Sequence, residues 1–168
     1  MKPLMVDLPY PNLNDVCENE NLAKIVRPFF AGLHGEITAI MQYVYHAFYF
    51  EKEKDLETAN LLKSISIAEM RHLELLGRLL LKLGVDPWFG VSDGFSKTFY
   101  NTSKISYSKL KEKMLLDDIS GEMMAIKEYD RAIDMIKDEK VSAVLVRIKL
   151  DEELHVSALK SRLQELYS

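Results

Sequence analysis

The amino-acid sequence predicts an all-α protein, a four-helix bundle of two antiparallel helical hairpins joined by a long crossover. Three observations lead there. Four long segments place apolar residues at alternating steps of three and four, the spacing that lines one face of a helix. Between the second and third segments, residues 85 to 107 (VDPWFGVSDGFSKTFYNTSKISY) lose that pattern over a length that no tight turn between antiparallel neighbours needs. The third observation is a repeat: residues 35–43, GEITAIMQY, return as residues 121–129, GEMMAIKEY, with Gly, Glu, Ala, Ile and Tyr in register.

Taken in order, residues 1–18 carry Pro3, Pro9 and Pro11, show no periodicity and read as an extended N-terminal arm; residues 19–168 make the bundle. The first helix is expected over residues 21 to 53, with Pro28 marking a kink or its true start, and with Leu33, Ile37, Ile40, Val44 and Ala47 facing inward. Asp55 can cap the second helix, which runs to residue 82 or 83 and stops at Gly84, a residue suited to a left-handed C-cap. Its stripe is Leu62, Ile65, Glu69, His72, Leu76, Leu79 and Leu83. Ser106 or Ser108 is expected to cap the third helix, which reaches residue 137; a short break at residues 138–139 leads to the fourth, over residues 140–166.

Composition narrows the class. At 168 residues the chain suits one domain, and 48% hydrophobic with 29% charged residues is a globular rather than a disordered balance. Net charge is −4, the charges are interspersed, and no basic stripe is interleaved with aromatics, so nucleic acid is not an expected partner. Cys17 is the only cysteine, which excludes an intrachain disulfide, a Cys-ligated zinc site and a rubredoxin-type iron centre; a reducing cytoplasm is the expected compartment. The start, MKPLMVDLPYPNL, has no run of signal-peptide length, and no uncharged stretch reaches the roughly 18 residues of a membrane span.

The chemistry sits in the repeat. Downstream of Glu36 lies Glu69-x-x-His72, and downstream of Glu122 lies Glu152-x-x-His155, at separations of 33 (69 − 36) and 30 (152 − 122) residues. Three residues at about 100° each bring Glu and His onto one helical face. With neighbouring helices antiparallel, the four mid-helix sites fall at one depth, and four glutamates and two histidines converge in a dry core. Unpaired carboxylates there cost on the order of several kcal/mol each. Two divalent cations would cancel four negative charges, and mixed Glu/His ligation suits iron or manganese.

With this pattern the chain resembles the ferritin-like di-iron carboxylate superfamily, in which two helices give one Glu each and two give Glu-x-x-His. The resemblance covers roughly residues 20–166. It implies terminal ligands Glu36 and Glu122, bridging carboxylates Glu69 and Glu152, imidazole ligands His72 and His155, and a cofactor of two iron ions, with manganese as the other choice. Within the superfamily the ligand spacings look most like those of the rubrerythrin group. That implies an oxidoreductase reducing hydrogen peroxide in oxidative-stress defence, with hydrogen peroxide or dioxygen as substrate and a separate electron-donor protein. Ile119 stands where rubrerythrins carry a further Glu, and their four-cysteine rubredoxin domain has no counterpart here. The alternatives are an iron-binding or ferroxidase-type protein without peroxidase turnover, and dimanganese catalase-like disproportionation. Met70, placed like the haem-binding methionine of bacterioferritins, is read as a packing residue.

Around the six ligands, Tyr43 and Tyr129 each lie seven residues after a ligand Glu, two turns along the same face, and are candidates to bond a ligand carboxylate or carry an oxidising equivalent. Asp151 can orient a ligand imidazole, and Asp118 is a candidate seventh carboxylate in place of Ile119. His34 and His46 lie off the ligand stripe and are read as non-ligands. The stretch MQYVYHAFYF is aromatic on several faces, which favours burial of the first helix in a homodimer interface.

Overall fold

In the computed structural model the apolar segments form α1 (Glu20–Ala31), α2 (Glu36–Lys52), α3 (Leu56–Lys82), α4 (Lys111–Met135) and α5 (Glu139–Tyr167). The structure describes residues 1–92 and 95–167; Asp93 and Gly94 of the predicted crossover, and Ser168 at the end of the predicted bundle segment, lie outside the described residues. The fold class matches the sequence reading: α2 packs with α3 and α4 with α5 as two hairpins, joined by the long crossover.

Two apolar clusters show how the helices run. One contains Ala47, Phe50, Leu62, Ile65, Met114, Leu115 and Leu159; the other contains Phe30, Leu76, Leu79, Ala132, Val144 and Ile148. Helices α3 and α4 enter at the first cluster and leave at the second, whereas α5 runs from the second to the first and α2 heads toward the first. The chain therefore leaves α3 at one end of the bundle and must return to the other end before α4 begins. This is the physical reason for the crossover. It is also more ordered than a plain loop: β1 (Gly90–Ser92) and β2 (Lys97–Phe99) pair antiparallel, with Val91 opposite Thr98.

The second helix behaves as read. Asp55 accepts from Thr58 N at 3.1 Å, and all seven stripe residues of α3 are buried. At its end Gly84 adopts φ +85°, while Gly84 N bonds Leu81 O and Val85 N bonds Leu80 O, a Schellman pair of bonds that only a left-handed residue closes without strain.

Other expectations are corrected. The first segment is two helices, and the break falls at residues 32–35 rather than at Pro28, which lies inside α1. A Cβ on Gly32 would stand 2.4 Å from Pro28 O, and one on Gly35 would stand 2.4 Å from Phe29 O, so the chain folds back on the end of α1 where only glycines fit. The break resets the helical phase. Of the predicted inward residues only Ala47 is fully buried; Leu33, Ile37, Ile40 and Val44 are half-buried, and Glu36, Tyr43, Ala47 and Phe50 face the core. Neither Ser106 nor Ser108 caps α4, whose N-cap is Leu110 with no side-chain bond; Ser106 Oγ instead donates to Asp117. Helix α4 stops at Met135, and Asp138 accepts from Lys140 N and Val141 N at the head of α5. Met70 is 45% exposed and packs in neither cluster. No helix among the described residues is long and apolar enough to cross a membrane.

Two glycines test this packing. A Cβ on Gly121, inside α4, would meet no atom of the described residues within 4 Å, so Gly121→Ala should stabilise the metal-free protein by up to about 1 kcal/mol through helix propensity. Gly35→Ala meets two backbone carbonyls and should cost on the order of 2 kcal/mol. Thermal unfolding of both variants checks the opposite signs.

Candidate metal centre

The two apolar clusters leave a single layer between them, and the repeat places its polar residues there. On α3, Ile65 and Leu76 flank Glu69 and His72; on α5, Ile148 and Leu159 flank Glu152 and His155. Glu122 enters from the middle of α4. Glu36 is not midway along a helix, as its repeat partner is; it is the first residue of α2, where the helix N-terminus favours a carboxylate. The structure brings all six sequence-predicted ligands together, none more than 5% exposed.

Their geometry is two-fold. His72 Nδ1 lies 2.9 Å from Glu69 Oε2, 3.1 Å from Glu152 Oε1 and 3.6 Å from Glu36 Oε2. His155 Nδ1 lies 3.1 Å from Glu69 Oε1, 3.3 Å from Glu152 Oε2 and 3.4 Å from Glu122 Oε1. Glu69 and Glu152 thus turn one oxygen toward each imidazole, while Glu36 and Glu122 each serve one side. The result is two sets of four groups, Glu36–Glu69–His72–Glu152 and Glu69–Glu122–Glu152–His155, each with its candidate donor atoms within 4.8 Å of one another.

The groups behind these donors are fixed by hydrogen bonds. The Tyr43 hydroxyl donates to Glu122 Oε1, and the Tyr129 hydroxyl donates to Glu36 Oε1. Each tyrosine therefore reaches across to the other hairpin's glutamate, not to the one on its own helix. Asp151 Oδ2 lies 3.0 Å from His72 Nε2, in the orienting position that the sequence suggested. The partner of His155 Nε2 is a backbone carbonyl, Leu4 O, at 2.9 Å, and Asp151 is itself bonded by Val6 N and Tyr10 Oη. Sequence reasoning missed these arm contacts.

Asp118 belongs to neither set of four. It bonds His46 Nδ1 at 2.9 Å and Gln42 Nε2 at 2.8 Å, while His46 Nε2 faces Ser106 O at 3.0 Å. His46 is thus buried but turned away from the cluster, and His34 is exposed. A cavity of about 420 Å³ lies between α2 and α4; Glu36, Glu69, Glu122 and Glu152 line it together with Tyr43, Tyr129 and the exposed Lys104 and Lys113.

Electrostatics say what the cluster is built to hold. Burial, with repulsion from Glu69 and Glu152, pushes the Glu36 and Glu122 carboxyls well above the ordinary range. Burial acts against charge on His72 and His155 as well, but the facing carboxylates outweigh it and hold both imidazoles well above 6.5. Burial likewise pushes Glu69 up, but the two imidazoles prevail and it lies well below the usual value. Metal-free, the layer balances its charge with protons. Even so, Glu69 Oε1, Glu152 Oε1 and His155 Nδ1 are buried without a hydrogen bond of acceptable angle from the described residues, although nitrogens and oxygens stand 3.1 to 3.4 Å apart. Donor atoms crowded together yet unsatisfied fit a pair of cations better than they fit one another.

Residues 31–167 match the family model of the ferritin-like domain. The chain belongs to the ferritin-like family. Among solved structures it is similar to KatB, a manganese catalase from Anabaena, at 24% identity and a TM-score of 0.84, covering 95% of this chain and 78% of that one. It is also similar to BfrA, the bacterioferritin of Mycobacterium tuberculosis, at 21% identity and a TM-score of 0.74, covering 89% of this chain and 88% of that one. At these identities the likeness is one of fold. No curated protein matches the chain. As a ferritin-like protein it carries a carboxylate–histidine cluster able to bind a dimetal centre.

If cations take the place of the protons that balance this layer, metal loading at pH 7 should release protons. Affinity should fall as pH drops and His72 and His155, raised above 6.5, stay protonated more firmly; it should rise with increasing pH. Calorimetric titration of Mn(II) in two buffers of different ionisation heat measures the proton count, and zero release would contradict the assignment.

Proposed function

We propose that the chain is a dimetal enzyme that consumes hydrogen peroxide by disproportionation, with Glu69 and Glu152 bridging two metal ions, Glu36 and Glu122 as terminal ligands, and one imidazole on each ion. The observation that carries this reading is the pair of four-residue sets sharing two carboxylates at the wall of a cavity between α2 and α4. Paired ions at such a site supply Lewis acidity and a two-electron reservoir to a bound peroxide.

Disproportionation converts two H₂O₂ into two H₂O and one O₂, so one peroxide supplies the electrons that the next consumes. No external reductant is needed. The fold likeness to a manganese catalase over 95% of the chain supports the same reading. Protons released in one half-reaction are used in the other, and they must be held meanwhile. Glu36 Oε1 with Tyr129 Oη, and Glu122 Oε1 with Tyr43 Oη, are hydrogen-bonded pairs at the cavity wall that can hold them. The apolar clusters on either side exclude bulk water from the reacting layer.

The second reading is peroxide reduction at a di-iron centre fed by a separate electron-donor protein. The 33- and 30-residue ligand spacings, similar to those of rubrerythrins, favour it. Oxygen evolution separates the two. Manganese-loaded protein without reductant should release O₂ from millimolar peroxide, and no evolution, with peroxide consumed only by reduced iron-loaded protein, would select the second. In either case Tyr43→Phe and Tyr129→Phe should keep both metals and lower turnover by about tenfold or more, as read by paired metal analysis and initial rates.

A further inference from the structure

The bundle helices account for the Nδ1 side of both imidazoles. On the Nε2 side Asp151 of α5 faces His72, while a stretch of the N-terminal arm that has neither helix nor strand faces His155 and braces Asp151. Leu4 N bonds Ser64 O of α3 at 3.1 Å, and Leu4 O accepts from His155 Nε2 at 2.9 Å. Two residues on, Val6 N donates to Asp151 Oδ1 at 2.8 Å. Tyr10 Oη donates at 2.6 Å to Asp151 Oδ2, the same oxygen that faces His72 Nε2. Within seven residues the arm reaches one imidazole directly and the other through a single carboxylate.

Arg147 locks that stretch in place. It lies on α5 one turn before Asp151 and is 5% exposed. Its guanidinium donates to Val6 O at 2.9 Å and to Leu8 O at 2.9 and 3.1 Å, stands 2.8 Å from Asp151 Oδ2, and covers the Tyr10 ring at 4.4 Å. Without the arm this buried cation loses its carbonyl partners, so these bonds hold the arm in addition to the apolar contacts of Leu4 and Tyr10. A little further along, a cavity of about 700 Å³ separates residues 10–14 from Arg71, Leu75 and Arg78 of α3.

We propose that residues 4–10 are a working part of the centre: a strap, fastened by Arg147 and Tyr10, that fixes the tautomer and tilt of His72 and His155 and thereby governs how firmly the centre retains its metals. The proposal rests on reading the six-residue cluster as a dimetal site. Its positioning residues are Tyr10 and Arg147, neither of which faces the metal positions. An imidazole whose outer N–H is held by a fixed acceptor presents its other nitrogen in one orientation; released to water, it does not.

The test uses the full chain loaded with Mn(II) and measures metal release to excess EDTA. Wild type should bind two ions per chain. Tyr10→Phe and Arg147→Met should release them about tenfold faster, with Arg147→Lys in between, and Arg147→Met should speed hydrogen exchange at the Val6 amide. Arg162→Leu is the control, because it breaks an ion cluster with Asp55 and Glu57 at the other end of the bundle; it should release metal at the wild-type rate. Should wild type bind two ions while both strap variants release them no faster, or while Arg162→Leu releases them as fast as they do, the strap is overturned and the dimetal reading survives. A wild-type chain that binds no metal overturns both.

Discussion

Four carboxylates gathered into one buried layer are the constraint on which the rest of this molecule depends. Alone they would repel one another and water would have to reach them. Glu36, Glu69, Glu122 and Glu152 can stay buried only because two imidazoles, two tyrosine hydroxyls and, by our reading, two cations answer their charge. The antiparallel neighbours bring the four helices' ligands to one depth, and the apolar clusters above and below keep the layer narrow. Stability and chemistry are therefore not separable here. The same leucines that bury α3 against its neighbours are what make the carboxylates costly enough to demand a counter-charge.

Tyr43 and Tyr129 extend that logic from the layer to the whole bundle. Each hairpin could have satisfied its own terminal glutamate, since Tyr43 follows Glu36 on one helix and Tyr129 follows Glu122 on another. Instead the bonds cross, Tyr43 to Glu122 and Tyr129 to Glu36. The crossing fastens α2 to α4, the two helices whose separation leaves room for the cavity. These two buried bonds add to those of His46 and Gln42 with Asp118 and to the apolar cluster that Ala47 and Phe50 share with Met114 and Leu115.

What the sequence disclosed and what it hid divide along a physical line. Glu69 and His72 were legible because they interrupt a regular stripe, and Glu152 and His155 because they repeat the interruption. Side chains at fixed helical spacing leave a periodic trace. The phase of α2 was not legible, since MQYVYHAFYF is apolar nearly all round and Pro28 is a louder signal than the glycines at 32 and 35, which actually break the helix. His46 and Asp118 were each noticed but not paired, because residues 72 apart in sequence give no sign that they meet. The arm's contacts left least trace of all. They are made largely by backbone: the carbonyls of Leu4, Val6 and Leu8 and the amide of Val6, which any residue could supply.

Those backbone contacts also make the two halves unequal. The duplicated hairpin gives each half of the cluster the same residue types, but His72 is backed by a carboxylate and His155 by a neutral carbonyl. Burial pushes the Asp151 carboxyl up, yet bonds from His72, Tyr10, Arg147 and Val6 N outweigh it and hold it at about 2, so it remains ionised behind its imidazole. An imidazole with an anion at its far nitrogen is the more basic donor. A symmetric set of candidate ligands thus sits within an asymmetric outer shell, with Asp151 of α5 behind His72 and the arm's Leu4 carbonyl behind His155.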